Sequence, residues 1–282
     1  MEFRERRITA QDGLSLYVRD YGDALSSAPP VLCLGGISRN ARDFEALAPH
    51  LAGKRRVVCP DYRGRGRSDY DSDWRNYQPI VYLRDVLDIL TALDLHRVVV
   101  IGTSMGGLLA MALAAARPGA LSAVVLNDIG PEIDPAGIAR IKTYMGADGR
   151  QADWDGAIGF LQGSYQNQFM TSRDQWLSFA KRIYREETGG GLVYDFDPAI
   201  LKQLTSAPSG PMTHWPAFRA LSRFPVLAIR GDLSDILSQP TFDRMAEENP
   251  DLIRVTLPGV GHVPLLDEAQ SVSAIDDFLD RL

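Results

Sequence analysis

The stretch that most limits what this chain can become runs from residue 98 to 116, nineteen residues without a charge between Arg97 and Arg117. It opens as a β-branched run, Val98, Val99, Val100 and Ile101, and turns abruptly into LLAMALAAA. Nineteen apolar residues are long enough to span a bilayer. Gly102, Gly106 and Gly107 inside the stretch, and the change in residue type, indicate instead a buried strand leading directly into a buried helix. At the junction stands Gly102-Thr103-Ser104-Met105-Gly106, a G-x-S-x-G. A serine on so tight a strand-to-helix turn is held in a strained backbone conformation. Side chains two residues before and after it would clash, which explains glycine at 102 and 106. The strand–turn–helix setting is what a nucleophile elbow requires. The backbone N–H of Met105 then sits at the helix N-terminus, where a developing oxyanion is favoured.

A serine is a weak nucleophile until a base takes its proton. The chain holds four histidines. His50 closes a helical pattern, His96 lies before the strand at residue 98, and His214 stands beside Trp215. His262 alone occupies a glycine-rich loop after a strand, Pro258-Gly259-Val260-Gly261-His262. Sites in open α/β sheets form beyond the carboxyl ends of the strands, so His262 is the expected base.

A carboxylate should orient that imidazole from another strand end. The strand PVLAIRG is followed by Asp232-Leu233-Ser234-Asp235, and Asp128 follows the strand Ala123–Leu126. The chain order Ser…Asp…His favours Asp235, which is far enough past the strand to reach across a loop, with Asp232 and then Asp128 as alternatives. Gly35-Gly36-Ile37-Ser38 follows the strand Val31–Leu34, and its glycines allow close approach to a substrate. The Ile37 N–H is the expected second oxyanion donor beside Met105.

Around these motifs, strands Ser15–Arg19, Val31–Leu34, Arg56–Cys59, Val98–Ile101 and Ala123–Leu126 alternate with helical patterns at Ala41–Leu51, Ile80–Leu93 and Met105–Ala116. That rhythm indicates βαβ units and a parallel sheet. From about Pro131 to Arg219 no strong strand pattern occurs and aromatics cluster, among them Tyr144, Trp154, Tyr165, Phe169 and Trp176. The rhythm resumes with Pro225–Ile229, Thr241–Glu248, Ile253–Leu257 and a last helix over Leu265–Leu282. The expected organisation is a core of residues 1–130 and 220–282 with a mainly helical insertion, 131–219.

Composition removes other classes. With 30 Lys and Arg against 36 Asp and Glu, the net charge of −6 argues against a nucleic-acid binder. Arg63, Arg65 and Arg67 stand among Asp61, Asp69, Asp71 and Asp73, so they predict a solvated or internally paired loop. Cys33 and Cys59 lie in apolar runs and read as core thiols of a reducing compartment. The charged start MEFRERRITA does not read as a signal peptide. No phosphate-loop, dinucleotide or metal-ligand spacing is present, so no cofactor or metal is expected. A cytoplasmic protein acting on a small molecule follows, with no nucleic-acid or membrane partner expected and a homo-oligomer left open.

With GTSMG at 102–106, DYRGRGRSD at 61–69, RGDLSD at 230–235 and GVGHVP at 259–264, the sequence resembles the α/β-hydrolase superfamily along its whole length. The resemblance implies an α/β fold with a mostly parallel sheet flanked by helices. It also implies that the insertion after the sixth strand is a helical cap over the active site. The chain departs from the commonest family pattern at Gly35, where a histidine usually precedes the oxyanion glycine.

The expected function is hydrolysis of a carboxylic ester of a small or moderately apolar substrate, through an acyl-enzyme on Ser104 with Asp235 and His262. The same triad serves carbon–carbon bond hydrolases of ring-cleavage products and enol-lactonases or lactonases. For these a substrate carboxylate would meet a cationic pocket drawn from Arg39, Arg140 or His214. A ligand-binding receptor of this fold is the third reading.

Overall fold

The structure, a computed structural model, describes residues 2–165, 170–206 and 213–282. Phe169, one of the aromatics of the insertion, lies outside the described residues. The apolar runs become strands β1 (Phe3–Thr9), β2 (Ser15–Tyr21), β3 (Val31–Leu34), β4 (Val57–Pro60), β5 (Val98–Thr103) and β6 (Leu121–Asn127). After the insertion, which holds a small hairpin of β7 (Tyr184–Glu186) and β8 (Leu192–Tyr194), come β9 (Val226–Gly231) and β10 (Ile253–Leu257). The main sheet has the order β1-β2-β4-β3-β5-β6-β9-β10. β1 and β2 pair antiparallel with each other and β2 with β4, and the remaining neighbours are parallel. This is the α/β-hydrolase architecture expected from the sequence.

Every residue of β3, β4, β5 and β9 is buried. A strand covered on both faces reads as a continuous apolar run, because successive side chains point to opposite layers. Val98 and Val100 join one core with Leu109 and Leu113, while Val99 and Ile101 join the other with Phe44, Ile275 and Phe278. Those layers are built by α1 (Leu47–Leu51), α2 (Pro79–Ala92) and α3 (Met105–Ala116) and, near the end of the chain, α9 (Gln239–Glu248) and α10 (Ala269–Leu279). The helix expected over Ala41–Leu51 is split into a 3-10 turn, Ala41–Phe44, and α1. Pro49 has no N–H to give the Glu45 carbonyl, so one continuous helix is not available there.

The insertion contains α4 (Pro135–Gly146), α5 (Trp154–Ser164), α6 (Arg173–Ile183), the β7–β8 hairpin, α7 (Ile200–Ser206) and α8 (Trp215–Arg219). The sequence reading missed the hairpin. Its turn is the glycine run, with Gly189, Gly190 and Gly191 all at positive φ (106°, 102° and 85°). Only glycine adopts three such conformations in succession at little cost. The last helix, α8, packs on α3 of the sheet layer. β1 was also missed, since FRERRIT shows no apolar alternation. It is an edge strand with charges outward, where Arg6 reaches Asp20 at 3.3 Å and Glu5 pairs with Arg67. Charged side chains on an edge strand discourage pairing with another chain.

Cys33 and Cys59 are buried free thiols. Among the described residues no helix is long and apolar enough to cross a membrane, and the 98–116 stretch is β5 followed by α3.

Candidate active site

Ser104 links β5 to α3 with φ 51° and ψ −115°, a conformation that L-residues rarely adopt. The glycines on either side are sterically required. A Cβ on Gly102 would stand 2.6 Å from the backbone of Gly106, and one on Gly106 would stand 2.1 Å from the Leu34 carbonyl oxygen. The Ser104 N–H is tied to the Asn127 carbonyl at 3.0 Å, which fixes the turn against β6.

His262 Nε2 lies 3.1 Å from Ser104 Oγ, and His262 Nδ1 lies 2.7 Å from Asp128 Oδ2. The loop that carries this histidine is anchored by Asn127 Nδ2, which donates to the Pro264 carbonyl at 2.9 Å and to Thr103 Oγ1 at 3.1 Å. Asp128 is fully buried and accepts from the Gly231 N–H at 2.9 Å and from Ser234 Oγ at 2.6 Å. Its carboxylate is thus held by three donors, which keeps a buried charge satisfied.

This corrects the expectation that Asp235 meets the histidine. Asp235 turns away to Arg140 of α4, at 2.5 Å from Nε and 2.9 Å from Nη2. Burial pushes its carboxyl upward, but the Arg140 hydrogen bond and charge, with a contribution from His262, hold it below the usual carboxylate range. Asp232 is exposed. The signal for Asp128 was present in the sequence but needed the register to be read. Thr103 pairs with Asn127, so the residues just past the ends of β5 and β6, Ser104 and Asp128, stand abreast. Of the three donors to Asp128, two come from β9 and the loop behind it, Gly231 and Ser234, and the third is His262 on the loop after β10.

The remaining histidines lie elsewhere. His50 and His96 are on the surface, each 2.8 Å from a carboxylate, Asp276 and Asp94. His214 precedes α8, and burial lowers its pKa. It lines neither space beside Ser104.

Ile37 lies where the oxyanion loop was expected. A Cβ on Gly36 would stand 3.8 Å from Ser104 Cβ, and no protein acceptor among the described residues takes the N–H of Ile37 or Met105. The sequence reading missed what holds this loop. Arg65, fully buried, donates from Nε to the Ile37 carbonyl at 2.7 Å and from Nη1 to the Arg63 carbonyl and to Tyr82 Oη. Arg63 is buried against Asp85, Asp12 and Asp71. The arginine run is therefore an internally paired support of the site.

Two spaces open beside Ser104. One is lined by Ser38, Arg39, Arg140, Tyr144, Tyr165 and His262. The other, of about 260 Å³, is walled mostly by apolar side chains, including Met105, Leu108, Ile129, Ile138, Ile141 and Ile236. Ser38 Oγ and Tyr144 Oη meet at 2.6 Å in the first, and burial holds the Tyr144 hydroxyl well above its ordinary pKa. Arg39 is clamped by Asp43, with Nε 2.7 Å from Oδ2 and Nη2 2.5 Å from Oδ1, and lies over the Phe179 ring.

A strained serine at a strand end, a histidine within hydrogen-bonding distance of it and a buried carboxylate behind the histidine make a geometry in which a serine hydroxyl can give up its proton to a held imidazole. The chain belongs to the alpha/beta hydrolase family, whose model matches residues 31–275. It is 33% identical over 268 residues to a 3-hydroxybutyrate-oligomer hydrolase of Cupriavidus necator, covering 92% of this chain and 90% of that one. A 2-(acetamidomethylene)succinate hydrolase of Mesorhizobium japonicum is 26% identical, over 95% and 92% of the two chains. Among solved structures, an alpha/beta hydrolase from Novosphingobium aromaticivorans superimposes with a TM-score of 0.93 at 45% identity, covering 100% of this chain and 99% of the other.

Proposed function

We propose that this protein hydrolyses carboxylic esters through an acyl-enzyme on Ser104, with His262 as base and Asp128 as the residue that orients it. The observation that carries the reading is the unbroken line Ser104 Oγ–His262 Nε2 and His262 Nδ1–Asp128 Oδ2, at 3.1 and 2.7 Å. His262 takes the Ser104 proton as Oγ attacks the ester carbonyl. The N–H groups of Ile37 and Met105 receive the oxyanion, each such donor contributing roughly 3–4 kcal/mol to the transition state. His262 then returns the proton to the leaving alcohol and activates a water that releases the acid. Asp128 holds the tautomer with the proton on Nδ1 and stabilises the imidazolium.

The insertion acts as a cap in this reading, since α4 supplies walls of both spaces beside Ser104 and Tyr165 a wall of the first. The relative named for 3-hydroxybutyrate oligomers supports an ester as substrate, because hydroxy acids are joined to one another by ester bonds.

The test is turnover of p-nitrophenyl acetate and butyrate together with a fluorophosphonate label. Stoichiometric labelling of Ser104, and loss of both label and turnover in Ser104→Ala and in His262→Ala, is the expected result. A folded wild type that neither labels nor turns over these esters refutes the reading.

A further inference from the structure

Both spaces beside Ser104 have largely apolar walls, but Arg39, Arg140 and His262 line the first, the polar space, whereas no charged side chain among the described residues lines the second, the apolar space. The catalytic groups divide between them. His262 lines only the polar one, Met105 lines only the apolar one, and Ser104 and Ile37 border both. Resting on the ester-hydrolase reading, this division fixes which half of a substrate goes where. In acylation the bond from Ser104 Oγ to the acyl carbon forms and the bond from that carbon to the leaving oxygen breaks. The proton that Ser104 gave to His262 Nε2 passes to the leaving oxygen, which must therefore lie on the His262 side.

We infer that the leaving alcohol occupies the polar space and carries a carboxylate, while the acyl group fills the apolar space, so that the substrate is an apolar acyl ester of a short hydroxy acid. Two arginines face the leaving group, and each is tethered in the same way. Asp43 takes Nε and Nη2 of Arg39, and Asp235 takes Nε and Nη2 of Arg140. Nη1 of Arg39 has no protein acceptor among the described residues, and Nη1 of Arg140 has only the Ser164 carbonyl at 3.5 Å. Guanidinium groups fixed on one edge present pre-aligned donors on the other, a geometry suited to a carboxylate.

The polar space is small, about 30 Å³, room for two or three water-sized groups such as a carboxylate and its carbon. The apolar space, about 260 Å³, is walled mainly by isoleucine and leucine; Gln203, Tyr77 and Tyr82 also border it, but among the described residues no cationic side chain does. A carboxylate on the acyl side would be desolvated there without a cationic partner.

The experiment uses three matched esters of the whole protein's own reaction. They are 2-(butyryloxy)acetate, with the charge on the leaving group; 2-(butyryloxy)acetamide, its neutral isostere; and monoethyl succinate, with the charge on the acyl group. Rates are normalised to alkaline hydrolysis. The acid is expected to exceed the amide in kcat/KM by tenfold or more, chiefly through KM, and monoethyl succinate to be the poorest of the three. Arg39→Gln and Arg140→Gln should each bring the acid-to-amide ratio towards one. Where a glutamine variant does not fold, Arg140→Lys, which keeps the charge but loses the planar fork, should lower the ratio in smaller degree.

An enzyme that turns over p-nitrophenyl butyrate but treats acid and amide alike, or prefers monoethyl succinate, overturns this assignment and leaves ester hydrolysis standing. A protein that labels at no serine and cleaves no ester overturns both.

Discussion

Nδ1 of His262 lies 2.7 Å from Oδ2 of Asp128, while Asp235, the carboxylate of the loop after β9, lies 2.5 Å from Arg140 of α4 instead. Two carboxylates near one histidine thus have separate tasks. Asp128→Asn should lower kcat for p-nitrophenyl butyrate by about 10⁴-fold, as expected when an amide stabilises the wrong histidine tautomer. Asp235→Asn should cost about tenfold or less. The two kcat values, measured side by side, decide which residue is the acid, and a larger loss at Asp235 would reverse the assignment.

Ser104 and His262 act as one unit in the proposed chemistry, so their removal should not be additive. Ser104→Ala and the double variant Ser104→Ala/His262→Ala should retain the same residual turnover within about threefold. A double variant far below the single one in steady-state assays would mean that His262 activates another nucleophile, such as a water.

Gly106→Ala places a methyl 2.1 Å from the Leu34 carbonyl oxygen, a backbone atom of the central sheet. Backbone cannot rotate away as a side chain can, so the expected cost is about 3 kcal/mol or more in urea unfolding. Gly119→Ala meets nothing within 4 Å and should stay within about 0.5 kcal/mol of wild type. Equal stabilities would show that the elbow relaxes more easily than this packing implies.

Asp61 opens the DYRGRGRSD segment and is buried, accepting from the Ala41 N–H at 2.7 Å and the Arg67 N–H at 2.8 Å. Burial outweighs these hydrogen bonds and raises its pKa from 3.8 to about 6. A carboxyl whose folded pKa exceeds its unfolded one binds its proton more tightly in the native state. Its contribution is complete below about pH 4 and is lost as pH rises through about 6, a span of about 3 kcal/mol at most. Asp61→Asn removes that titration. The stability difference between wild type and variant, from chemical unfolding at pH 4, 5, 6 and 7, should therefore move by about that amount in favour of the variant at higher pH. A flat difference would contradict the raised pKa.

Arg63 is buried between Asp85 at 2.6 Å and Asp71 and Asp12 at 2.7 Å each. Removing one member of a buried charge cluster strands the others, so Arg63→Met should cost about 3–5 kcal/mol. Thermal or urea unfolding measures it, and a loss below 1 kcal/mol would show that water reaches the cluster.

Much of the site was legible before any coordinates because its rules are short-ranged. The spacing Gly102–Ser104–Gly106 follows from the crowding of one tight turn, and the apolar run of β5 from burial on both faces. His262 was found because it alone of the four histidines follows a strand in a glycine-rich loop. The strands that escaped notice are those without a burial pattern of their own. β1 is a charged edge, and the β7–β8 hairpin depends on three glycines in its turn. The arginines at 63 and 65 could be read as internally paired, but nothing local says that Arg65 holds the Ile37 carbonyl.

By itself the sequence determined the strand-to-helix turn, the serine on it, the histidine loop and the parallel sheet that carries them, because each depends on neighbours within a few residues. Which carboxylate stands behind the histidine was decided by tertiary structure alone. Asp128 and His262 are 134 residues apart, and all three candidate acids, Asp128, Asp232 and Asp235, follow strands. Only the register of β5, β6 and β9 sets Asp128 beside Ser104 with donors from Gly231 and Ser234, and only the packing of α4 brings Arg140 to Asp235. Strand order and helix packing place groups that share no local chain geometry, and the charge each carboxylate meets there fixes its role.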